Sequence, residues 1–266
     1  EIGMIKILDF AEVTAEEVFA RSEPTSDVTD IVSEIIKDVR ENGDEALIRY
    51  AAKFDGIDPE GFALELSNEE KSGAVRSLEE TDPGLIEVIR KAASNIAGFC
   101  GRQKREGFVI DDEQGRMTGQ KVIPLERAGI YVPGGTAAYP STVLMDSIPA
   151  FTAGCKEIIM TTPPNADGSI EPAVIAAAVI AQETVPGAGS VRIFRTGGAQ
   201  AVAALAYGTE SIPSVDKIVG PGNAFVAEAK RQVSARDSPS RYARTRAARK
   251  ASPAPVAFCV RSEERR

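Results

Sequence analysis

The chain has 266 residues, 43% of them hydrophobic and 26% charged, with a formal net charge of −8. That is the make-up of a globular protein of one or two domains. The acidic balance argues against nucleic acid as a partner, because phosphate binding needs clustered Lys and Arg. No apolar run reaches the roughly 18 residues of a membrane span, and the N-terminus lacks a basic segment followed by an apolar one. The three cysteines, Cys100, Cys155 and Cys259, form no CxxC pair, which fits a reducing, cytoplasmic setting. The absence of histidine removes the usual proton-transfer group near neutral pH and the commonest transition-metal ligand from these residues.

The chain opens with Met4-Ile5-Lys6-Ile7-Leu8, a strand or docking arm, followed by a capping box at Thr14-Ala15-Glu16-Glu17. Val28, Ile31, Val32, Ile35, Ile36 and Val39 then recur at helical spacing, and Gly43 stops that helix. A second helix is expected over 44–54. A second capping box, Ser67-Asn68-Glu69-Glu70, opens a third helix, and Asp82-Pro83 opens a fourth. The fourth carries the stripe Leu85, Ile86, Ile89, Ala93, Ile96 and Phe99. Phe108-Val109-Ile110 and 117–123 flank Gln114-Gly115 as a β-hairpin. Residues 1–128 therefore read as a mostly helical N-terminal region with a hairpin, part of an incomplete first domain.

From Gly129 the period changes. Strands are expected over 129–132, 157–162, 191–195 and 217–219, with helices over 141–153, 172–183, 198–207 and 224–233. Strands alternating with helices of this length predict an α/β fold, a parallel sheet with helices on both faces, over residues 129–233. Ligands of such sheets bind at the carboxyl ends of the strands. The loops Pro133-Gly134-Gly135, Pro163-Pro164, Gly197-Gly198 and Gly220-Pro221-Gly222 fall there.

Several residues near those loops are candidates for binding. Tyr131, at a strand end, can stack on or hydrogen-bond a cofactor ring, or serve as core. Gly197-Gly198-Ala199-Gln200 opens a helix and offers free backbone N–H groups to an anion, with Gln200 supplying donors and an acceptor. Gly220-Pro221-Gly222-Asn223 repeats that design. No G-x-G-x-x-G fingerprint is present. Asp146, inside an apolar helix, faces either a ligand or solvent. Cys155 reads as a buried structural thiol.

The segment 234–266 has a different character. It carries eight Arg and one Lys against one Asp and two Glu, a balance of +6, whereas residues 1–233 hold 22 basic and 36 acidic residues, a balance of −14. It reads either as a solvated basic arm or, the preferred reading, as the out-of-frame translation of a GC-rich gene.

The run from Glu126 to Ser141, centred on Tyr131-Val132-Pro133-Gly134-Gly135-Thr136, resembles the signature of histidinol dehydrogenase. So do 197–209 and Val219-Gly220-Pro221-Gly222-Asn223. The resemblance covers roughly residues 4–233. It implies incomplete Rossmann-like units, a zinc- and NAD-dependent homodimer, and oxidation of L-histidinol to L-histidine with two NAD. It carries the family's NAD contacts onto Tyr131, Gln200 and Asn223. The family's zinc ligands and Glu-His catalytic pair lie in a later part of its chain and have no counterpart here. These residues are therefore expected to be inactive alone, as a truncated form. The alternative is a non-catalytic NAD-binding or interaction protein derived from the N-terminal half.

Overall fold

The computed structural model describes residues 13–14, 28–111, 117–134, 139–235 and the backbone of 260–265. The expected strand or arm over 4–8, most of the Thr14–Glu17 capping box, the hairpin tip at Gln114-Gly115, and Gly135 lie outside the described residues, as does most of the 234–266 segment.

Helix α1 (Thr29–Tyr50) is two helices joined across Gly43, which takes the non-helical angles φ 49, ψ −129. The expected break is there, but the chain bends instead of stopping. Beyond it the helix loosens into a π-turn, Ala51–Asp55, ended by Gly56 in the left-handed conformation. Val32, Ile35, Ile36, Val39 and Leu47 are buried, whereas Ile31 is 51% exposed. Ile31 is thus a correction to the predicted stripe.

Helix α2 (Asn68–Thr81) begins with the predicted capping box. The Ser67 hydroxyl accepts from the Glu70 N–H at 3.1 Å, and the Glu70 carboxylate accepts from the Ser67 N–H at 2.8 Å. Two of the four orphan donors of a helix start are satisfied in this way. Helix α3 (Pro83–Gly101) starts at the predicted Pro, and the Asp82 side chain accepts from the Leu85 N–H. Ile86, Ile89 and Ala93 face the core, but Phe99 is 66% exposed and Cys100 is buried in its place. Over five turns a 3.6-residue period drifts, and the stripe had been extended one residue off the buried face.

Strands β1 (Phe108–Asp111) and β2 (Met117–Pro124) form the expected antiparallel hairpin, Phe108 opposite Gln120. A further strand, Val260–Arg265, pairs with the other edge of β2. No strand was expected in that segment. Its residues show no apolar alternation, but main-chain pairing to an open edge does not require one.

The main sheet is built from β3 (Arg127–Tyr131), β4 (Glu157–Thr162), β5 (Ser190–Arg195) and β6 (Lys217–Val219). All are parallel, in the spatial order β5-β4-β3-β6. Between and after them run α4 (Pro140–Thr152), α5 (Pro172–Thr184), α6 (Gly198–Tyr207) and α7 (Ala224–Ala235). The predicted parallel α/β architecture is present, with each element within two residues of its expected limits. Side chains alternate along the strands. Ile158, Met160 and Ile193 pack with α2, α3, α4 and α5, while Ile159 and Phe194 pack with α1, α6 and α7. Both faces are therefore dry, and the strands read as continuous apolar runs. Each fully buried Ile, Leu or Phe here contributes about 2–3 kcal/mol. Truncating Leu205, fully buried on α6, to Ala would cost about 2–5 kcal/mol.

The edge at β5 is covered by residues 64–66, where Leu66 N–H donates to Ile193 O and Arg195 N–H donates to Leu64 O. A bidentate Arg192–Glu65 pair at 2.7 and 2.6 Å clamps that segment. The other side of the sheet determines where a ligand can sit. The chain builds β3, β4 and β5 in one direction, then returns past β3 to add β6. The order reverses between β3 and β6, leaving a crevice beyond their carboxyl ends.

Candidate functional site

Tyr131 ends β3 and Gly220 follows β6, so the two residues face each other across the reversal. Gly220 has φ 106, and a Cβ there would lie 2.0 Å from the Tyr131 carbonyl oxygen. Only glycine fits, because both the backbone angle and the contact exclude a side chain. The loop is held further by Lys230 of α7, whose ammonium donates to the Gly220 carbonyl. Burial pulls the Lys230 pKa down, and the charge of Asp146 on α4 opposes that fall.

The neighbouring loops close on the same place. Gly134 after β3 and Gly197 after β5 both abut the ring of Pro163 after β4. Three strand-end loops therefore meet with bare backbone between them. In this setting Tyr131 is 4% exposed, and its hydroxyl accepts from the Gly198 N–H at 3.2 Å. Burial pushes the Tyr131 pKa up, the Gly198 bond lowers it, and the charge of Asp55 raises it. The phenol stays neutral near pH 7 and keeps its proton to donate.

Gln200, in the first turn of α6, is 3% exposed. Its amide sits against Gly198 at the start of the same helix. Asp55 Oδ2 is buried and without a partner among the described residues, and burial pushes the Asp55 pKa up to about 6. Gln200 and the Tyr131 hydroxyl stand at the N-terminus of α6, where free N–H groups and the helix dipole favour an anion, and Asp55 lies within electrostatic reach of Tyr131.

Of the sequence-predicted residues, Tyr131 and Gln200 are brought to the same helix start. Asn223 lies on the loop that abuts Tyr131, exposed, and its Oδ1 accepts from the Val226 N–H at 3.1 Å as the N-cap of α7. That bond uses its oxygen and leaves its NH2 donors. Asp146 is half-buried, with Oδ2 unpartnered, and burial raises its pKa to about 6 against the opposing Lys230 charge. Cys155 is 2% exposed, as expected of a structural thiol. Asp55 was missed. In sequence Asp55-Gly56 reads as a helix end, and only the fold carries it to the strand termini.

A second cluster lies at the same end of the sheet, beside β5. A cleft of about 430 Å³ is lined by Asp58, Glu60, Phe62, Glu70, Asp167 and Arg195, among others. Arg195 is 9% exposed and fully engaged. It donates to the carbonyls of Gly168 (2.8 Å), Ala63 (3.0 Å) and Glu65 (3.3 Å), and to the Glu70 carboxylate. With four carboxylates around one saturated guanidinium, this cleft offers nothing to a phosphate.

A family model described as histidinol dehydrogenase matches residues 19–239. Histidinol dehydrogenase of Lactococcus lactis subsp. lactis is 46% identical over 232 residues, 86% of this chain and 52% of the relative. That of Geobacillus kaustophilus is 50% identical over 202 residues, 76% of this chain and 45% of the relative. The crystal structure of histidinol dehydrogenase from Elizabethkingia anophelis superposes with a TM-score of 0.71 at 37% identity, covering 80% of this chain and 46% of that one. The chain spans about half the length of the relatives it matches.

Proposed function

Because the chain belongs to the histidinol dehydrogenase family, we propose that its parallel sheet is the NAD-binding part of an enzyme that oxidises L-histidinol to L-histidine. The observation that carries this reading is the set of polar groups gathered where Tyr131 meets the α6 N-terminus, with Asp55 Oδ2 buried and without a partner among the described residues. Gln200 is 3% exposed, its amide against Gly198, beside the neutral phenol of Tyr131 and the open backbone of the strand-end loops. A dinucleotide fits such a place, since its pyrophosphate takes N–H donors and its rings take flat contacts at a sheet reversal.

Bound there, the cofactor supplies a hydride acceptor for alcohol oxidation. The chain's own residues bind and orient it. Tyr131, fixed by the Gly198 N–H, presents its O–H. Gln200 presents an amide that can both donate and accept. Asn223 offers its NH2 from the β6–α7 loop. Lys230 and the Gly220–Tyr131 contact hold the two walls of the crevice apart at a set distance.

Zinc does not fit in the same way. Residues 1–266 contain no histidine, and the described residues contain no group of three His, Cys, Asp or Glu able to hold a metal. These residues by themselves are therefore expected to bind NAD without oxidising L-histidinol. That expectation also keeps open a non-catalytic, NAD-binding role. The family's homodimer and the cytoplasm are the assembly and setting this reading implies.

The test is a calorimetric titration of NAD into the chain, paired with an assay of NADH formation from L-histidinol with added zinc. Saturable NAD binding without turnover is expected. No heat and no thermal shift at millimolar NAD would remove the binding reading, and measurable turnover would remove the expectation of inactivity.

A further inference from the structure

Asp55 closes the π-turn after α1, and the turn at Gly56 brings the chain against Ala166 in the loop after β4. A residue from the N-terminal helix is thus laid over the carboxyl ends of strands that come much later in the chain. Its carboxylate lies near enough to Tyr131 for its charge to act on the phenol. No ion pair or hydrogen bond satisfies Oδ2 among the described residues. A buried, unbonded carboxylate oxygen is costly, and native proteins keep few of them.

The nearby cations do not serve it. The Lys53 ammonium sits over the Phe54 ring, Arg195 is saturated by three carbonyls and Glu70, and Lys230 is held by the Gly220 carbonyl. What remains is an acceptor-only group within electrostatic reach of Tyr131, whose hydroxyl meets the start of α6. Its complement is a neutral ligand group with hydroxyl donors, and a vicinal diol presents two. The terminal torsion of Asp is soft, so either oxygen can turn to meet such a donor.

We propose that Asp55 accepts a ribose hydroxyl of the bound dinucleotide and so selects a cofactor with a free 2′-hydroxyl over one bearing a 2′-phosphate. The inference rests on the dinucleotide reading above. In many dinucleotide folds an acidic residue does this from the sheet itself, some twenty residues after a glycine fingerprint. Here the carboxylate arrives from a helix that precedes the sheet, which explains why no fingerprint spacing reveals it. A 2′-phosphate at this place would bring acceptor oxygens and negative charge against an acceptor, with no free cation among those named to offset it.

The test titrates NAD and NADP by calorimetry into the chain and its Asp55→Ala and Asp55→Asn variants, each with a melting curve. The unaltered chain should prefer NAD over NADP by about tenfold or more. Asp55→Ala should weaken NAD about tenfold and leave NADP unchanged or tighter, collapsing the preference. Asp55→Asn, an acceptor without charge, should gain NADP affinity while keeping part of its NAD affinity. Removing an unpaired buried charge should not lower the melting temperature, so loss of NAD binding cannot be ascribed to unfolding. If the chain binds NAD but Asp55→Ala leaves the NAD-to-NADP ratio unchanged, Asp55 is not the selector and the dinucleotide reading stands. If the unaltered chain binds neither cofactor, the dinucleotide reading fails and this inference falls with it.

Discussion

Two polar clusters share the carboxyl end of the sheet and differ in one physical respect. Around Arg195 the guanidinium donates to three backbone carbonyls and one carboxylate. Around Tyr131 the Asp55 Oδ2 is buried and left without a partner among the described residues. A saturated cluster ties the segment at 63–70 to β5 and is complete without any ligand. An unsatisfied one holds free energy in reserve, since leaving a buried polar group unbonded costs about 1–3 kcal/mol that a ligand can recover. On the proposed reading, the better-formed cleft is the structural one and the ligand belongs at the cluster that keeps a buried, unpartnered oxygen.

Substitutions can break this contrast. The largest effect belongs to Gly220→Val, which forces a Cβ against the Tyr131 carbonyl at φ 106. It should lose about 3 kcal/mol or more of stability by urea unfolding, together with NAD binding. Arg195→Met removes the hub of the saturated cluster and should lose about 2–3 kcal/mol, moderated because Glu70 is half-exposed. Corrected for unfolding, its NAD affinity should match that of the unaltered chain. A matching loss of affinity would erase the distinction between the clusters.

Asp55 gives a smaller effect with a definite pH signature. Burial lifts its folded pKa from the ordinary 3.8 to about 6, so the folded protein holds this proton more tightly than the unfolded chain. The penalty for the charged form is complete above pH 6 and disappears as pH falls towards 4. Asp55→Asn should therefore raise stability at pH 8 by about 1–2 kcal/mol and leave it unchanged near pH 4, read from denaturant midpoints at the two pH values. Smallest is Ser67→Ala, which deletes one bond of the α2 capping box and should cost about 1 kcal/mol without touching NAD binding.

Much of this architecture was legible in the chain. The change from a 3.6-residue period to strand–loop–helix alternation at Gly129 located the parallel sheet, and Gly198–Tyr207 was readable to the residue because Gly197-Gly198 opens it and Gly208 follows. Local chemistry decided those elements. Burial at the ends of stripes was less readable, as Ile31 and Phe99 show, because which face is covered depends on neighbours distant in sequence. Tyr131 and Gln200 were candidates from their loops, but that Gly198 bonds the Tyr131 hydroxyl across 67 positions is a property of the fold. Asp55 was not legible at all, since an unsatisfied oxygen has no sequence signature.

The measurement that bears most directly on the central claim is the NAD affinity of Gln200→Met beside its melting temperature. Gln200 is 3% exposed and its amide ties no described element to another, so an apolar side chain of similar length should leave the fold about as stable. If the amide waits for a ligand, NAD should bind about tenfold more weakly. Unchanged NAD affinity with an unchanged melting temperature would contradict the account, because the Gln200 amide would then be an incidental feature of the core.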